Sequence, residues 1–175
     1  MRQGEVHGDW NGRAIAFDQS LASTGYVLFT FDGSLQVEDM GMIKTSSTFS
    51  GWTDNFYRAQ WIYTEVVNLF GQHKLDLVLH EMPPIGGSPF LRRPDASIVA
   101  ATAIQCAASH VGLEVKMVSA QVVKKYLTGN YRAEKKGVRE ALLERFGTTL
   151  QGHKFSLNEH TYDALGIAVT YVETQ

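Results

Sequence analysis

The chain has 175 residues, 44% of them hydrophobic and 19% charged, with a formal net charge of −2. That profile fits one folded domain with a sizeable core and excludes a natively unfolded or bulk-basic polymer-binding protein. No apolar run reaches the roughly 18 residues of a membrane span, and the N-terminus does not read as a secretory leader. The single cysteine, Cys106, has no partner within the chain. It is expected as a small core residue in a reduced, cytoplasmic setting.

Residues 1–12 (MRQGEVHGDWNG) lack periodicity and are expected to be a flexible tail, with one domain over residues 13–175. The stretch RAIAFDQSLASTGYVLFT from Arg13 to Thr30 then sets the frame. Apolar residues run up to Asp18, a polar turn ends at Thr24-Gly25, and a second β-rich run follows. This predicts a hairpin with Asp18 ending its first strand. Asp18 is at this point either a turn former or a carboxylate placed at a sheet edge to hold a metal. A third strand over Val37 to Lys44 completes an antiparallel meander.

Apolar residues at three-four spacing (Phe56, Ala59, Tyr63, Val66, Val67, Phe70) predict a helix from Thr53 to Phe70, with Gly71 as its C-cap and Trp61 in the core. LDLVLH (Leu75 to His80) reads as a buried strand ending at Glu81, and Pro83-Pro84 forbid its continuation. His80 is expected to point away from Glu81 and to pack. After a loop carrying Phe90, Arg92 and Arg93, a small-residue helix is expected from Asp95 to Val111. A strand over Glu114 to Val118 follows, then a helix from Ala120 to Leu127 capped by Ser119. A further helix from Ala133 to Phe146 is expected to close at Gly147. The last helix runs from Asn158 to about Val172 and buries Leu165, Ile167, Ala168 and Val169. A meander followed by strand–helix alternation gives an α/β fold: a mixed five-stranded sheet, antiparallel then parallel, with helices on both faces.

Charge is uneven along this order. Lys124, Lys125, Arg132, Lys135, Lys136 and Arg139 concentrate six of the 16 basic residues in one short segment, with Glu134 the one acid among them. Such a patch suits a polyanion approaching in one orientation; the other reading is a solvated helix face. Asp18 and Glu81 both end strands. Asp163 lies three residues after His160, on one helical face. If the two strands are parallel neighbours, three carboxylates and a histidine converge, a donor set suited to Mg2+ or Mn2+. Otherwise they are three separate solvated acids and a surface histidine.

Four blocks in order bear a family resemblance: FDQSLASTGY, LDLVLHE, SAQVVKKYLTGNYRAEKKGV and HTYDALGIA. The sequence resembles the RuvC family of Holliday-junction resolvases, of the RNase H-like superfamily, over nearly all of residues 13–172. It looks closest to the phage-encoded branch, which would place it in a host cytoplasm. The resemblance implies an RNase H-like fold, a homodimer, and Mg2+-dependent paired nicking of four-way DNA junctions, with Mn2+ as a substitute and two ions per site. It puts metal ligands at Asp18, Glu81, His160 and Asp163, His160 being a ligand or a general base, and functional lysines at Lys124 and Lys135. Lys125, Arg132, Lys136, Arg139, Arg92 and Arg93 are then expected to hold DNA.

Two departures stand out. The family's Pro-Gly after the first acid is Gln19-Ser20 here, and Pro83-Pro84 stand where the family has an aromatic wedge, a role Phe90 would take. A broader debranching nuclease acting on forks and flaps, and a non-catalytic junction binder, remain alternatives. The opening hairpin also resembles the phosphate-binding hairpin of sugar kinases and actin-like ATPases, but the second domain and adenosine motif of those proteins are missing.

Overall fold

The computed structural model describes residues 11–83, 94–151 and 157–174. Its elements are β1 (Gly12–Asp18), β2 (Ser23–Phe31), β3 (Leu35–Lys44), α1 (Gly51–Gln72), β4 (Leu77–Glu81), α2 (Pro94–Val111), β5 (Glu114–Val118), α3 (Ala120–Thr128), α4 (Lys135–Gln151) and α5 (Glu159–Thr174). The strands form one sheet in the order β3-β2-β1-β4-β5. The meander pairs antiparallel, whereas β1 with β4 and β4 with β5 pair parallel. This is the mixed five-stranded α/β sheet expected from the element order.

Two apolar cores flank the sheet. Ala14 and Ala16 of β1 and Leu77 and Leu79 of β4 face α3, α4 and α5. Ile15, Phe17 and Val78 face α1 and α2. Side chains alternate along a strand, so Asp18 and Glu81 share the α5 side with the alanines and leucines. His80 falls on the other side, fully buried, as expected.

Helix α5 lies across the small-residue face of β1 and β2 and buries ten of its sixteen residues. Its start is fixed by Asn158 and Thr161. The Asn158 N–H donates to Thr161 Oγ1 at 2.9 Å, and the Thr161 N–H donates to Asn158 Oδ1 at 3.2 Å. This reciprocal cap puts His160 in the first turn and Asp163 one turn on. Gly25 allows the approach, because a Cβ there would stand 2.4 Å from the His160 backbone.

Several sequence expectations need correction. Gly71 does not end α1; the chain leaves the helix at His73, whose N–H reaches the Phe70 carbonyl. The buried stripe of α1 runs through Asp54, Ile62, Val66 and Phe70, so Phe56 is 65% and Trp61 55% exposed. Cys106 is exposed, because α2 turns Ala100, Ala103, Ile104 and Ala107 inward and leaves it on the far side. Helix α4 passes through Gly147 to Gln151, anchored by buried Leu150. Phe90, Arg92, Arg93 and residues 1–10 lie outside the described residues.

Two glycines give opposite expectations. Gly25→Ala should lower the unfolding free energy by about 1–3 kcal/mol, the usual cost of overpacking. Gly71→Ala, inside α1 with no heavy atom within 4 Å of the added Cβ, should raise it by roughly 0.5–1 kcal/mol. Urea denaturation of both variants checks the pair.

Candidate active site

The last Cα pair of the β1–β4 ladder joins Phe17 to His80. Asp18 and Glu81 are therefore the next residues on adjacent parallel strands, side by side at the sheet's C-terminal edge. The N-terminus of α5 ends above the same edge. Asp18, Glu81, Lys124, Lys135, His160 and Asp163 all line one cavity of about 360 Å3, together with Gln19 and Ser20. The structure thus brings together all six residues read from the sequence as the chemical centre.

Within the cavity Asp18 and Asp163 each have a close partner. His160 Nδ1 lies 2.6 Å from Asp18 Oδ2. Since the carboxylate only accepts, Nδ1 carries the proton. Lys135 Nζ lies 2.8 Å from Asp163 Oδ2 and also contacts Glu159. Among the described residues, no three His, Cys, Asp or Glu side chains gather into a ready metal cage. The donor chemistry nonetheless fits a hard divalent cation: three carboxylates and an imidazole on one rim. In this arrangement Lys135 supplies a positive partner for Asp163, and His160 donates a hydrogen bond to Asp18.

The acids sit uncomfortably. Burial, then the nearby Asp18 and Asp163 carboxylates, push Glu81 up to about 7, with Lys135 and Lys124 offsetting part of the rise. Burial also raises Asp163, against the hydrogen bond from Lys135. The Asp18 hydrogen bond raises His160 despite its partial burial. A cavity that raises Glu81 and Asp163 this way gains from any added positive charge.

The other basic residues divide. Lys136 and Arg139 border an adjoining recess with Lys135, Glu159, Tyr162 and Asp163; the Arg139 guanidinium lies 5.0 Å from the Tyr162 ring centroid. Lys125 and Arg132 are exposed and do not line the cavity. Arg132 stacks on Tyr131. Sequence reasoning missed Glu159, the second partner of Lys135, although it directly precedes His160. It also missed the bond from Gln19 Nε2 to the Glu81 carbonyl at 2.7 Å, because Gln19 registered only as a departure from the family turn.

With the geometry in place, comparison with known proteins is decisive. A crossover junction endodeoxyribonuclease RuvC from Gloeobacter violaceus is 32% identical over 164 residues, covering 90% of this chain and 86% of that protein. The chain belongs to the RuvC family. No family profile matches it. Among solved structures, Thermus thermophilus RuvC in complex with a Holliday junction superposes with a TM-score of 0.74 at 20% identity, covering 93% of this chain and 94% of that one. Fowlpox virus resolvase with its junction DNA gives 0.60 at 15% identity, covering 93% and 97%. Both share the fold described above.

The raised Glu81 makes a signed stability prediction for the metal-free protein. A carboxyl whose folded pKa exceeds its unfolded value costs stability as pH rises from about 4.5 to about 7, because the folded state then holds more protons than the unfolded one. Glu81→Gln should therefore raise Tm at pH 8, by roughly 2–4 °C for each kcal/mol relieved. Below pH 4.5 the two proteins should melt together. Thermal melts across that range check it.

Proposed function

We propose that this RuvC-family chain is a structure-selective endonuclease that resolves four-way DNA junctions by paired, metal-dependent nicks. One observation carries the reading: Asp18, Glu81, His160 and Asp163 share a single cavity with Lys124 and Lys135. The names of its relatives point the same way, the Gloeobacter protein being a crossover junction endodeoxyribonuclease and two solved relatives being bound to Holliday junctions.

Asp18, Glu81 and Asp163 offer the oxygen ligands, and His160 a nitrogen beside them. Bound Mg2+, or Mn2+ in its place and two ions per site, would supply neutralisation of the scissile phosphate and acidification of the attacking water. His160 has a second role that its hydrogen bond favours. With Nδ1–H donated to Asp18, Nε2 keeps its lone pair and accepts the water's proton, in the manner of a carboxylate-oriented general base. Lys124 and Lys135 line the cavity where charge builds on the phosphate and stabilise it there. Lys125, Arg132, Lys136 and Arg139, outside the catalytic cavity, hold backbone phosphates. Arg92 and Arg93 do so from the segment that follows Glu81 in the sequence, with Phe90 stacking on bases at the crossover.

Cleavage of labelled four-way, three-way, forked and linear DNA in Mg2+ tests this. Wild-type protein should nick opposed strands of the four-way junction. Asp18→Asn should lose more than about 100-fold in rate, the upper end of what a lost ligand-orienting contact costs. An intact junction would remove the enzyme reading, and equal cutting of linear duplex would remove the selectivity. Each of Lys125→Ala, Lys136→Ala and Arg139→Ala should flatten the salt dependence of junction affinity by about 0.9 in log–log slope.

Paired nicks require two active sites, so the proposal includes a homodimer. The outer faces of α1 and α2 offer the surface, where Phe56, Tyr63, Val99 and Ala103 border one shallow apolar groove. A two-fold contact there is self-complementary, as a closed dimer needs. Sedimentation equilibrium should give a dimer for the wild type and a monomer for Phe56→Glu, with the far-UV circular dichroism unchanged because Phe56 is exposed in the single chain, and with a lower melting temperature because the dimer no longer adds to stability.

A further inference from the structure

Gln19 is 6% exposed and lines the same cavity as the acids. Its amide orientation follows from its partner: the Glu81 carbonyl can only accept, so Nε2 must face it, at 2.7 Å. The Oε1 atom is then left buried, without a partner among the described residues. That is costly, since a buried polar atom without a partner loses its hydration and regains no hydrogen bond. An apolar residue would avoid it. The turn after Asp18 therefore carries a group that serves stability badly.

What the amide does is extend the β1–β4 ladder by one contact. Regular Cα pairing between these strands stops at Phe17 and His80, one residue short of both carboxylates. Beyond that point Gln19 donates to the backbone of Glu81 itself. The same carbonyl is 2.7 Å from His80 Nδ1, which must be a donor because the carbonyl is not. His80 Nε2 is then the acceptor and takes a hydrogen bond from Gln105 Nε2 at 3.0 Å. Burial lowers the His80 pKa and favours this neutral form. The chain of contacts runs from α2 through the sheet to the turn beside Asp18, and the Glu81 peptide is its meeting point.

We infer that Gln19 is a positioning residue, holding the Glu81 peptide against the end of β1 so that the Glu81 and Asp18 carboxylates keep one fixed spacing. It touches none of the reacting atoms and acts through Glu81. The inference rests on the functional reading above, since the spacing matters only if the two acids act together.

The orphaned oxygen and the doubly served carbonyl make the test discriminating. Gln19→Met keeps length and apolar volume and removes the amide. The Glu81 carbonyl retains His80 as donor, and the unpaired Oε1 disappears, so thermal stability should be equal to or above wild type. Junction affinity measured without metal should stay within about twofold. Affinity for Mn2+ alone, by calorimetric titration, should weaken, and single-turnover cleavage of a four-way junction should slow. Both changes should fall in the roughly 10–100-fold range seen when a contact that orients a ligand is lost. Gln19→Ala should slow cleavage and weaken Mn2+ binding likewise, which covers the case in which the methionine packs badly.

Wild-type Mn2+ affinity and cleavage rate in both variants would overturn the inference. So would a large fall in melting temperature with a parallel loss of junction binding, which marks a purely structural role. If wild-type protein leaves junctions uncut, the functional reading fails on its own account. The Mn2+ titration still decides whether Gln19 places Glu81.

Discussion

The parallel register of β1 against β4 is the constraint on which the candidate site depends. Side chains alternate with a period of two, so a one-residue slip would turn Glu81 to the α1–α2 side and bring His80 to the α5 side. Both strands are apolar on both faces, as strands inside a covered sheet are, so hydrophobicity alone does not fix the register. Size does more. On β1 the α5 face carries Ala14 and Ala16, and the opposite face Ile15 and Phe17. Helix α5 answers with Ala164 and Ala168 in the same core, so it settles close to the sheet, with Gly25 clearing room for the His160 backbone. The short reach of His160 to Asp18 is a consequence of alanines and a glycine several residues away.

That closeness has an electrostatic consequence. Acids held on a half-buried rim lose hydration and repel one another; burial first, and that repulsion second, push the Glu81 carboxyl up to about 7. Lys135, bridging Asp163 and Glu159, offsets some of the strain. Its side chain is 58% exposed, so solvent screening keeps that contribution small. The cavity thus retains a demand for positive charge that its own residues meet only in part. A site so constructed costs fold stability and gains ligand affinity, the usual direction of that exchange at functional positions.

The sequence was most legible where a chemical pattern coincided with an element boundary. Asp18 and Glu81 could be placed because each closes an apolar run, and His160 with Asp163 because a three-residue spacing defines a helical face. The succession of elements along the chain followed from short turns and from proline after Glu81, whereas the parallel pairing of β1 with β4 had stood only as a condition. The misreadings share a cause. Phe56, Trp61 and Cys106 were assigned to the core on hydrophobic character, yet which flank of a helix meets the sheet is set by tertiary packing. Gly71 and Gly147 were read as helix ends, but neither adopts a positive φ, and buried Phe70 and Leu150 hold the chain in helix around them. Gln19 was invisible for a different reason. Its partner is a backbone carbonyl 62 residues away, and no side-chain pattern marks such a contact.

The basic segment shows how one geometry separates chemistry from affinity. Lys124 and Lys125 are neighbours on α3, as are Lys135 and Lys136 at the start of α4. Adjacent residues on a helix point in different directions. In each pair the first lysine lines the cavity that holds the acids, while the second does not; Lys136 is 82% exposed and, among the described residues, its one ion pair is a long contact to Glu140. Ser119 caps the start of α3, and Gly129 ends it in a left-handed turn, which fixes the phase of the first pair. Packing of Val138 and Leu142 into the α5 core does the same for the second. On the proposed reading, each inward lysine meets the phosphate being cut and each outward one a phosphate beyond it. A chain with net charge −2 can then draw a polyanion to one face and in one orientation, without a globally basic surface that would hold DNA of any shape.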